Sequence, residues 1–426
     1  MSDIPIESWA ATLCFVLAII HTFSVRRLQH LAHSYPPGSV GENFFHLVGE
    51  VEVVFGLWAG IWISILTAIR GVEAGVNYLE QLNFTEPAFV FVIMTVCSTR
   101  PILKLASDGI MSVARLIPLS RAVAFYGVVM VLGPLLGSFI TEPAAMTVSA
   151  LILYSRYLSR DIPSRLKYAT LGLLFVNVSI GGTLTPFAAP PVLMVSGIWN
   201  WDLTFMLANF GWKAALATMI STAGTLLCFR KDLDAMEWKD DEGEEGGAMS
   251  IPLWASALHF IFLVAIVSLH RYAAVFMGIF LFFLGLVTVT QEYQRELKLR
   301  EGLLVGFFLG GLVVLGGPQR WWLEPLLAQL DAGALFVGTT ALTAIADNAA
   351  LTYLGAQVPS ITDASKYSLV AGAVVGGGLT VIANAPNPAG YGILNPAFGE
   401  DGISPIGLFL SALPPTLVAG ICFWFL

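Results

Sequence analysis

The sequence contains the octet Ile140-Thr-Glu-Pro-Ala-Ala-Met-Thr147, and a second octet, Ile345-Ala-Asp-Asn-Ala-Ala-Leu-Thr352, repeats its pattern in the other half. Four of the eight positions are identical, and two more pair Glu with Asp and Met with Leu. Each octet places a single carboxylate among apolar residues. One acid in each half is the first sign that the chain is built from two similar parts.

A glycine-rich motif follows each octet and strengthens this interpretation. The first half continues with Gly181-Gly-Thr-Leu-Thr-Pro-Phe-Ala-Ala-Pro-Pro191, and the second half with Gly376-Gly-Gly-Leu-Thr-Val-Ile-Ala-Asn-Ala-Pro386. The two motifs occur in the same order with nearly the same spacing, which chance similarity of Gly- and Ala-rich segments rarely produces. The sequence therefore predicts an internal repeat.

The composition indicates the solvent in which this repeat folds. Of the 426 residues, 56% are hydrophobic and only 12% are charged, and the mean hydropathy is +0.77. Soluble domains carry about 25% charged residues, and a membrane-spanning helix needs about 20 apolar ones. We therefore expect an all-α polytopic membrane protein in contact with a lipid bilayer. The formal net charge of -8 argues against a nucleic-acid partner.

Basic residues in short loops predict the orientation of the two halves. The loop after the first octet contains several of them, whereas the loop after the second contains only Lys366. Because basic loops stay cytoplasmic, residues 122–155 are predicted as a re-entrant hairpin entering from the cytoplasm, and residues 333–358 as one entering from outside. With broken transmembrane helices at 167–195 and 367–390, this is a pair of inverted repeats.

The same features predict the domain organisation. Residues 1–85 are expected to form N-terminal spans of a scaffold, and residues 86–228 the first inverted repeat. An acidic cytoplasmic linker is predicted at 229–250. The remaining spans and the second repeat then occupy 251–426.

Glu142 and Asp347 are the sharpest functional signals. Placing an ionised carboxylate at the bilayer centre costs roughly 2.5–3.5 kcal/mol of insertion free energy. A chain therefore retains one there only with a charge partner, a water-filled cavity or a function. Burial favours the protonated carboxyl and a bound cation favours the ionised one. Such a group can therefore exchange a proton for a cation. The structural alternative is that both acids only bond backbone groups at a turn, to which the neighbouring Pro143 and Asn348 are suited.

The glycine-rich motifs predict breaks within helices that expose oxygen ligands. Proline frees a helix carbonyl, and carbonyl, hydroxyl and amide oxygens are the ligands of hard cations. A packing interface of small residues is the alternative interpretation. The residues that we predict to bind the ion or substrate at these breaks are Asn177, Thr183, Thr185, Thr380, Asn384 and Asn387.

A second polar cluster surrounds His46 and Glu50. Their i, i+4 spacing predicts that they share one helix face, and a histidine there could form a proton entry path or sense pH. The simpler interpretation is an exposed cytoplasmic helix end.

Several other classes of protein lack support in the sequence. There is no GxxxxGK[ST] motif for ATP-driven transport, and none of the HExxH, GxSxG or CxxCH motifs. The four cysteines form no CxxC pair. We expect neither an enzyme nor a resident metal or cofactor, only the transported ions.

The repeated segments resemble the ion transporter superfamily, which includes NhaD- and NhaB-type sodium/proton antiporters, arsenite efflux permeases, and citrate and dicarboxylate carriers. They are most similar to its family of putative Na+/H+ antiporters, through 139–146 and 179–191 in the first half and 343–349 and 376–387 in the second. The resemblance implies a homodimer with a scaffold and a transport core, and ion sites at the hairpin tips and helix breaks. Thr141 and Asn348 join the candidate ligands on this basis.

One departure from the superfamily bears on the substrate. The dicarboxylate branch carries Ser-Asn-Thr at both tips, whereas this chain has Thr141-Glu-Pro143 and Ala346-Asp-Asn348. Two acids would repel an anion, which favours cation exchange.

We therefore expect an antiporter of a monovalent cation, most simply sodium, against protons, in a prokaryotic inner membrane. An ion-coupled symporter or an exporter of a small anion or metalloid, of the dicarboxylate, citrate or arsenite type, is the alternative transporter. A channel or a membrane-embedded enzyme is the alternative outside that class.

Overall fold

The computed structural model describes residues 4–236, 250–399 and 402–426. Within these ranges the chain forms α-helices, short 3-10 and π segments, and no β-strand, which confirms the all-α prediction. In chain order the helices of the first part are α1 (Ile6–Ala32), α2 (Val40–Val48), α3 (Val51–Arg70), α4 (Val72–Glu80), α5 (Thr85–Cys97), α6 (Arg100–Leu116), α7 (Arg121–Ile140), α8 (Glu142–Leu153), α9 (Ser164–Gly181), α10 (Pro190–Trp199), α11 (Leu203–Met206) and α12 (Trp212–Asp234). The remaining helices are α13 (Leu253–Ser268), α14 (Ala273–Val289), α15 (Leu299–Gly316), α16 (Arg320–Leu327), α17 (Ala332–Thr343), α18 (Asn348–Ala356), α19 (Asp363–Gly376), α20 (Asn387–Leu394) and α21 (Pro405–Phe425).

Several of these helices are long and apolar enough to cross a membrane. By length and composition, six spans qualify within the described residues, and seven if the bent pair α5 and α6 counts as one. The axes of α5 and α6 differ by 69° across a short break. The chain is therefore an integral membrane protein. The six spans are Ile6–Val25, Val51–Arg70, Arg121–Ile140, Leu203–Asp234, Leu299–Leu327 and Pro405–Phe425.

The chain divides into two compact units. The first contains the residues up to Val92, together with Leu299–Leu330 and Tyr353–Ile361. The second contains Ile93–Lys298, Asp331–Thr352 and Thr362–Leu426. The predicted domains at 1–85, 86–228 and 251–426 follow sequence order and stay predictions.

In the first unit, α3 packs against α1 and α15. Gly311 of α15 lies so close to the backbone of Phe55 that a side chain there would overlap it. At the start of the same helix, Arg300 pairs with Glu50 at 2.9 Å. The middle of this close contact therefore requires a residue without a side chain at position 311.

In the second unit, α7 and α8 lie against each other and join at Thr141. Helix α9 packs against α7, α8, α12 and α21. It ends at Gly181, a 3-10 turn covers Gly182–Leu184, and α10 begins with two prolines at Pro190. The chain is similarly interrupted between α19 and α20, with a 3-10 turn at Val381–Ala383. Helix interruptions thus occur at both predicted glycine-rich motifs.

Helix α12 is kinked at the residue where the acidic linker is predicted to begin. Phe229 has φ -115° and ψ 15°, and helical residues then continue to Asp234, within the segment predicted as a linker at 229–250. Asp232 lies 3.7 Å from Arg165, and Arg230 pairs with Asp234 one turn on at 3.5 Å. These pairs favour helix over loop for the first residues of that segment. Residues 237–249 of the predicted linker lie outside the described residues.

Candidate functional site

The turn between α7 and α8 has an unusual backbone. Thr141 has φ 72° and ψ 150°, a region that residues with a Cβ rarely occupy. The residue is buried and its hydroxyl has no hydrogen-bond partner among the described protein atoms. Strain of this kind, about 1–3 kcal/mol per residue, concentrates at functional sites. Here the turn sets the direction in which the next side chain, Glu142, enters the unit.

Glu142 is completely buried and only half satisfied. Its Oε2 accepts a hydrogen bond from the Asn384 amide at 2.8 Å, whereas its Oε1 has no partner within the described residues. Gly182 packs directly against this carboxyl, and any side chain at that position would collide with Oε1. The first octet and the glycine-rich motifs of both halves therefore meet at Glu142.

Asp347 has a different environment from its counterpart. It is half-buried, and its Oδ1 accepts hydrogen bonds from the backbone N–H groups of Ala349 at 2.8 Å and Ala350 at 3.1 Å. It therefore caps α18, as the structural alternative for this acid supposed. Asp347 also lies close enough to Glu142 for the two charges to repel. The two acids occupy equivalent positions in the sequence, but their burial and hydrogen bonds differ in the structure.

Further polar atoms that lack a hydrogen-bond partner in the described part of the chain accompany Glu142. They belong to Asn348, Asn384 and Asn387, all buried, and each has an unpaired amide oxygen. Asn387 donates to the carbonyls of Gly377 at 2.7 Å and Thr380 at 2.8 Å, and the Asn348 amide packs beside Gly377. Burying unpaired polar atoms is unfavourable. These oxygens are of the type that ligates a hard cation.

The predicted threonine ligands hold the helix breaks together instead of presenting free hydroxyl hydrogens. Thr183 donates to the Ile180 carbonyl at 2.7 Å, and Thr185 to the Ser138 carbonyl at 2.6 Å. Thr380 donates to the Ala344 carbonyl at 2.9 Å. Their oxygens can still accept or ligate, but each hydroxyl already fixes the backbone of a break. Their role as ligands stays a prediction.

Asn177 lies one to two turns before the first break. Its amide nitrogen donates to the Met130 carbonyl at 2.9 Å and to the Thr222 hydroxyl at 3.2 Å. Pro134 in α7 has no N–H, so it cannot make the helix hydrogen bond to Met130. Asn177 replaces that missing donor. The contacts of this residue with the protein are therefore with α7 and α12.

Sequence reasoning missed Ser138, which ties the first break to α7. Its hydroxyl donates to the Gly181 carbonyl at 2.7 Å and accepts from the Leu184 N–H at 2.9 Å. A serine four residues before Glu142 in an otherwise apolar helix is a signal that could have identified it.

His46 and Glu50 belong to the first unit and do not share a helix face. Helix α2 ends at Val48, and Glu50 lies just before the start of α3 at Val51, so the expected i, i+4 relation does not form. His46 lies 3.8 Å from Glu42 instead, and Glu50 pairs with Arg300. The interruption falls at Gly49, whose carbonyl accepts a hydrogen bond from the Gln29 amide at 2.9 Å. A pH-sensing role for the two residues stays a prediction.

The ligand types at the site are oxygens from hydroxyl, amide and carboxyl groups. Across residues 4–236, 250–399 and 402–426, no three His, Cys, Asp or Glu side chains converge as a metal site. One carboxylate with neutral oxygens is better suited to a monovalent cation than to a soft transition metal.

Comparison with known proteins yields one family. The family described as putative Na+/H+ antiporter matches residues 6–426, nearly the whole chain. No curated protein matches the chain.

Proposed function

Because the chain belongs to the family of putative Na+/H+ antiporters, we propose that it exchanges Na+ for H+ and that Glu142 binds the two in turn. Membership supports cation/proton exchange in general and supports a role as a transporter. The choice of Na+, the residue that binds it and the transport cycle are our proposal.

One observation carries this proposal: Glu142 is fully buried, and one of its oxygens has no partner among the described protein atoms. That oxygen can bind either a proton or a cation. The neighbouring amide oxygens of Asn384, Asn387 and Asn348 would supply neutral ligands when the cation is bound. The charge of Asp347 would draw a cation towards the site.

The energetics of burial explain why exchange would be obligatory. An ionised Glu142 without a cation would be an uncompensated buried charge, which proteins avoid. The site therefore changes its exposure only when Glu142 is protonated or bound to Na+. One proton leaves as one Na+ binds, so the charge on the carboxyl is balanced in both forms.

We further propose that the two halves are inverted repeats with re-entrant hairpins, and that the site is exposed alternately to the two sides. Residues at matching positions of the two glycine-rich motifs make matching contacts, which supports the inverted repeat. Gly181 packs against Pro134 of α7, and Gly376 against Thr340 of α17. Likewise, Thr185 and Thr380 each bond a carbonyl near the end of the corresponding first arm.

Two expectations taken from the family resemblance remain part of the proposal. They are a homodimeric assembly and a location in a prokaryotic inner membrane.

The test uses purified protein in proteoliposomes that contain a pH-sensitive dye. After a proton gradient is imposed, we expect added Na+ to dissipate it in the wild type. In Glu142→Gln the response should fall to that of empty vesicles, because the amide can exchange neither ion. Glu73→Gln, which neutralises an exposed acid of α4, is the matched control and should behave as wild type.

Li+ and K+ are tested in the same way to identify the cation. Normal antiport by Glu142→Gln would sink the assignment of this residue. No response of the wild type to any cation would reject cation/proton exchange.

A further inference from the structure

Two hydroxyl groups of α12 are buried without a hydrogen-bond partner among the residues that the structure describes. They belong to Thr218 and Ser221, which are almost completely inaccessible. Helical Ser and Thr usually donate to the carbonyl four residues earlier, and Thr225 on the same helix does so, to Ser221 at 3.0 Å. Neither Thr218 nor Ser221 follows this pattern. Their hydroxyls are thus available to something other than their own helix.

These hydroxyls lie on the side of α12 that contacts α9. Thr222, one turn after Thr218, accepts the hydrogen bond from Asn177 of α9. Residues at i and i+4 share a helix face, so Thr218 lies on this contact as well. The Oδ1 of Asn177 is also buried and has no partner within residues 4–236, 250–399 and 402–426. Helix α7 packs against both α9 and α12, which encloses the cluster on a third side.

Buried polar groups of this kind are normally satisfied by ordered water. We propose that the interface of α7, α9 and α12 holds water and is the path by which protons reach Glu142. This inference rests on the proposed antiport function and adds a separate proton route to it.

The relative direction of α9 and α12 shows that the cluster extends from Asn177 towards Glu142. Gly211, just before α12, packs against Leu184 beyond the end of α9, whereas Thr222 reaches Asn177. The two helices are therefore antiparallel, and Thr218 lies on the Glu142 side of Asn177. From Asn177 to Gly182, which touches Glu142, is five residues, or about 7 Å of helix. Two or three hydrogen bonds span that distance.

In the other direction, polar groups continue towards the start of α9. Tyr126 of α7 and Thr170 of α9 form a buried hydroxyl pair, with 2.9 Å between their oxygens. Beyond them α9 begins near Arg165 and Lys167, at the end predicted to be cytoplasmic. The path would therefore open on that side.

The chemistry of the cluster favours protons over Na+. A hydroxyl or a water accepts one proton and passes on another, so transfer leaves each group unchanged. Holding Na+ there would need charge compensation, and the cluster consists of three hydroxyls and an amide with no carboxylate. Na+ would accordingly reach Glu142 by a different route.

The test compares two activities of reconstituted protein that share the cation site. Exchange of labelled Na+ for Na+ needs no proton, whereas Na+/H+ antiport does. In the double variant Thr218→Val, Ser221→Ala, we expect antiport to fall about tenfold, the effect of roughly one lost hydrogen bond in the transfer step. Na+/Na+ exchange should stay within about twofold of wild type. Thr225→Val removes a hydroxyl that already bonds its own helix, and it should leave both rates unchanged.

Equal loss of both activities in a folded double variant, or no loss of either, would overturn the proton path. Thr218→Ser keeps the hydroxyl and provides a milder check. As a single variant, Thr218→Ser should retain antiport, whereas the single variant Thr218→Val should lose it. Equal antiport rates in these two variants would also overturn the proton path. A wild type that exchanges Na+ without moving protons would contradict the proposed function itself.

Discussion

At the scale of single residues, Thr141 and Glu142 show how a strained turn and a buried acid combine. The turn leaves the Thr141 hydroxyl unpaired and directs Glu142 into a site where one oxygen is bonded by Asn384 and the other is not. A helix cap would have satisfied these groups, as Asp347 does for α18. The difference between the two acids is the reason to assign ion exchange to Glu142 first.

The strain at Thr141 predicts that glycine at this position is more stable than alanine, the reverse of the usual order. Thr141→Ala and Thr141→Gly both remove the hydroxyl, but only glycine adopts φ 72° and ψ 150° without strain. We expect Thr141→Gly to be more stable than Thr141→Ala by about 1 kcal/mol. Thermal unfolding of the two variants in the same detergent measures the difference. In unstrained backbone alanine is the more stable residue, so an alanine variant that unfolds at the higher temperature would refute the strain.

At the scale of helices, the structure explains which breaks are readable from sequence. The pairs of glycines and the prolines at both glycine-rich motifs mark interruptions that the structure contains, because these residues weaken or block helix hydrogen bonds. The break between α2 and α3 falls at the single Gly49, and the i, i+4 spacing of His46 and Glu50 concealed it. The kink of α12 at Phe229 falls where the linker was predicted to begin, whereas the helical residues between this kink and Asp234 were not predicted.

The contact between α7 and α9 supports a second stability prediction. Asn177 donates to the Met130 carbonyl that Pro134 leaves without a helix partner. We expect Asn177→Leu to destabilise the protein by about 1–3 kcal/mol, the cost of an unsatisfied buried group. In a Pro134→Ala background the helix N–H is restored, and the same substitution should cost less.

Unfolding of the wild type, the two single variants and the double variant forms the cycle that measures this coupling. Strictly additive effects would mean that Asn177 does not substitute for the missing helix donor.

At the scale of the whole molecule, packing does not follow sequence order. Residues 299–330 and 353–361 join the N-terminal residues in one compact unit, while the stretches around them belong to the other. The all-helical class and the two acidic octets were readable from the sequence because they are local patterns. The assignment of segments to units depends on long-range contacts, such as that of Gly311 with Phe55, which no local pattern encodes.

The candidate site was only partly predictable for the same reason. Glu142 and the asparagines of the second break could be identified as polar residues in apolar surroundings. Which atoms remain unpaired could not, because it depends on how side chains far apart in sequence meet. Thr185 and Thr380 illustrate this, since each bonds a backbone carbonyl that only the folded protein brings near.

The central claim, that Glu142 gives up a proton when Na+ binds, is tested most directly on purified protein in weakly buffered detergent solution with a pH indicator. Adding NaCl, compared with choline chloride over a series of pH values, should release about one proton per chain from the wild type, since binding a cation to a carboxyl displaces its proton. Glu142→Gln should release none, and Glu73→Gln should match the wild type. Equal proton release by wild type and Glu142→Gln, or Na+ binding by the wild type without release at any pH, would contradict the account.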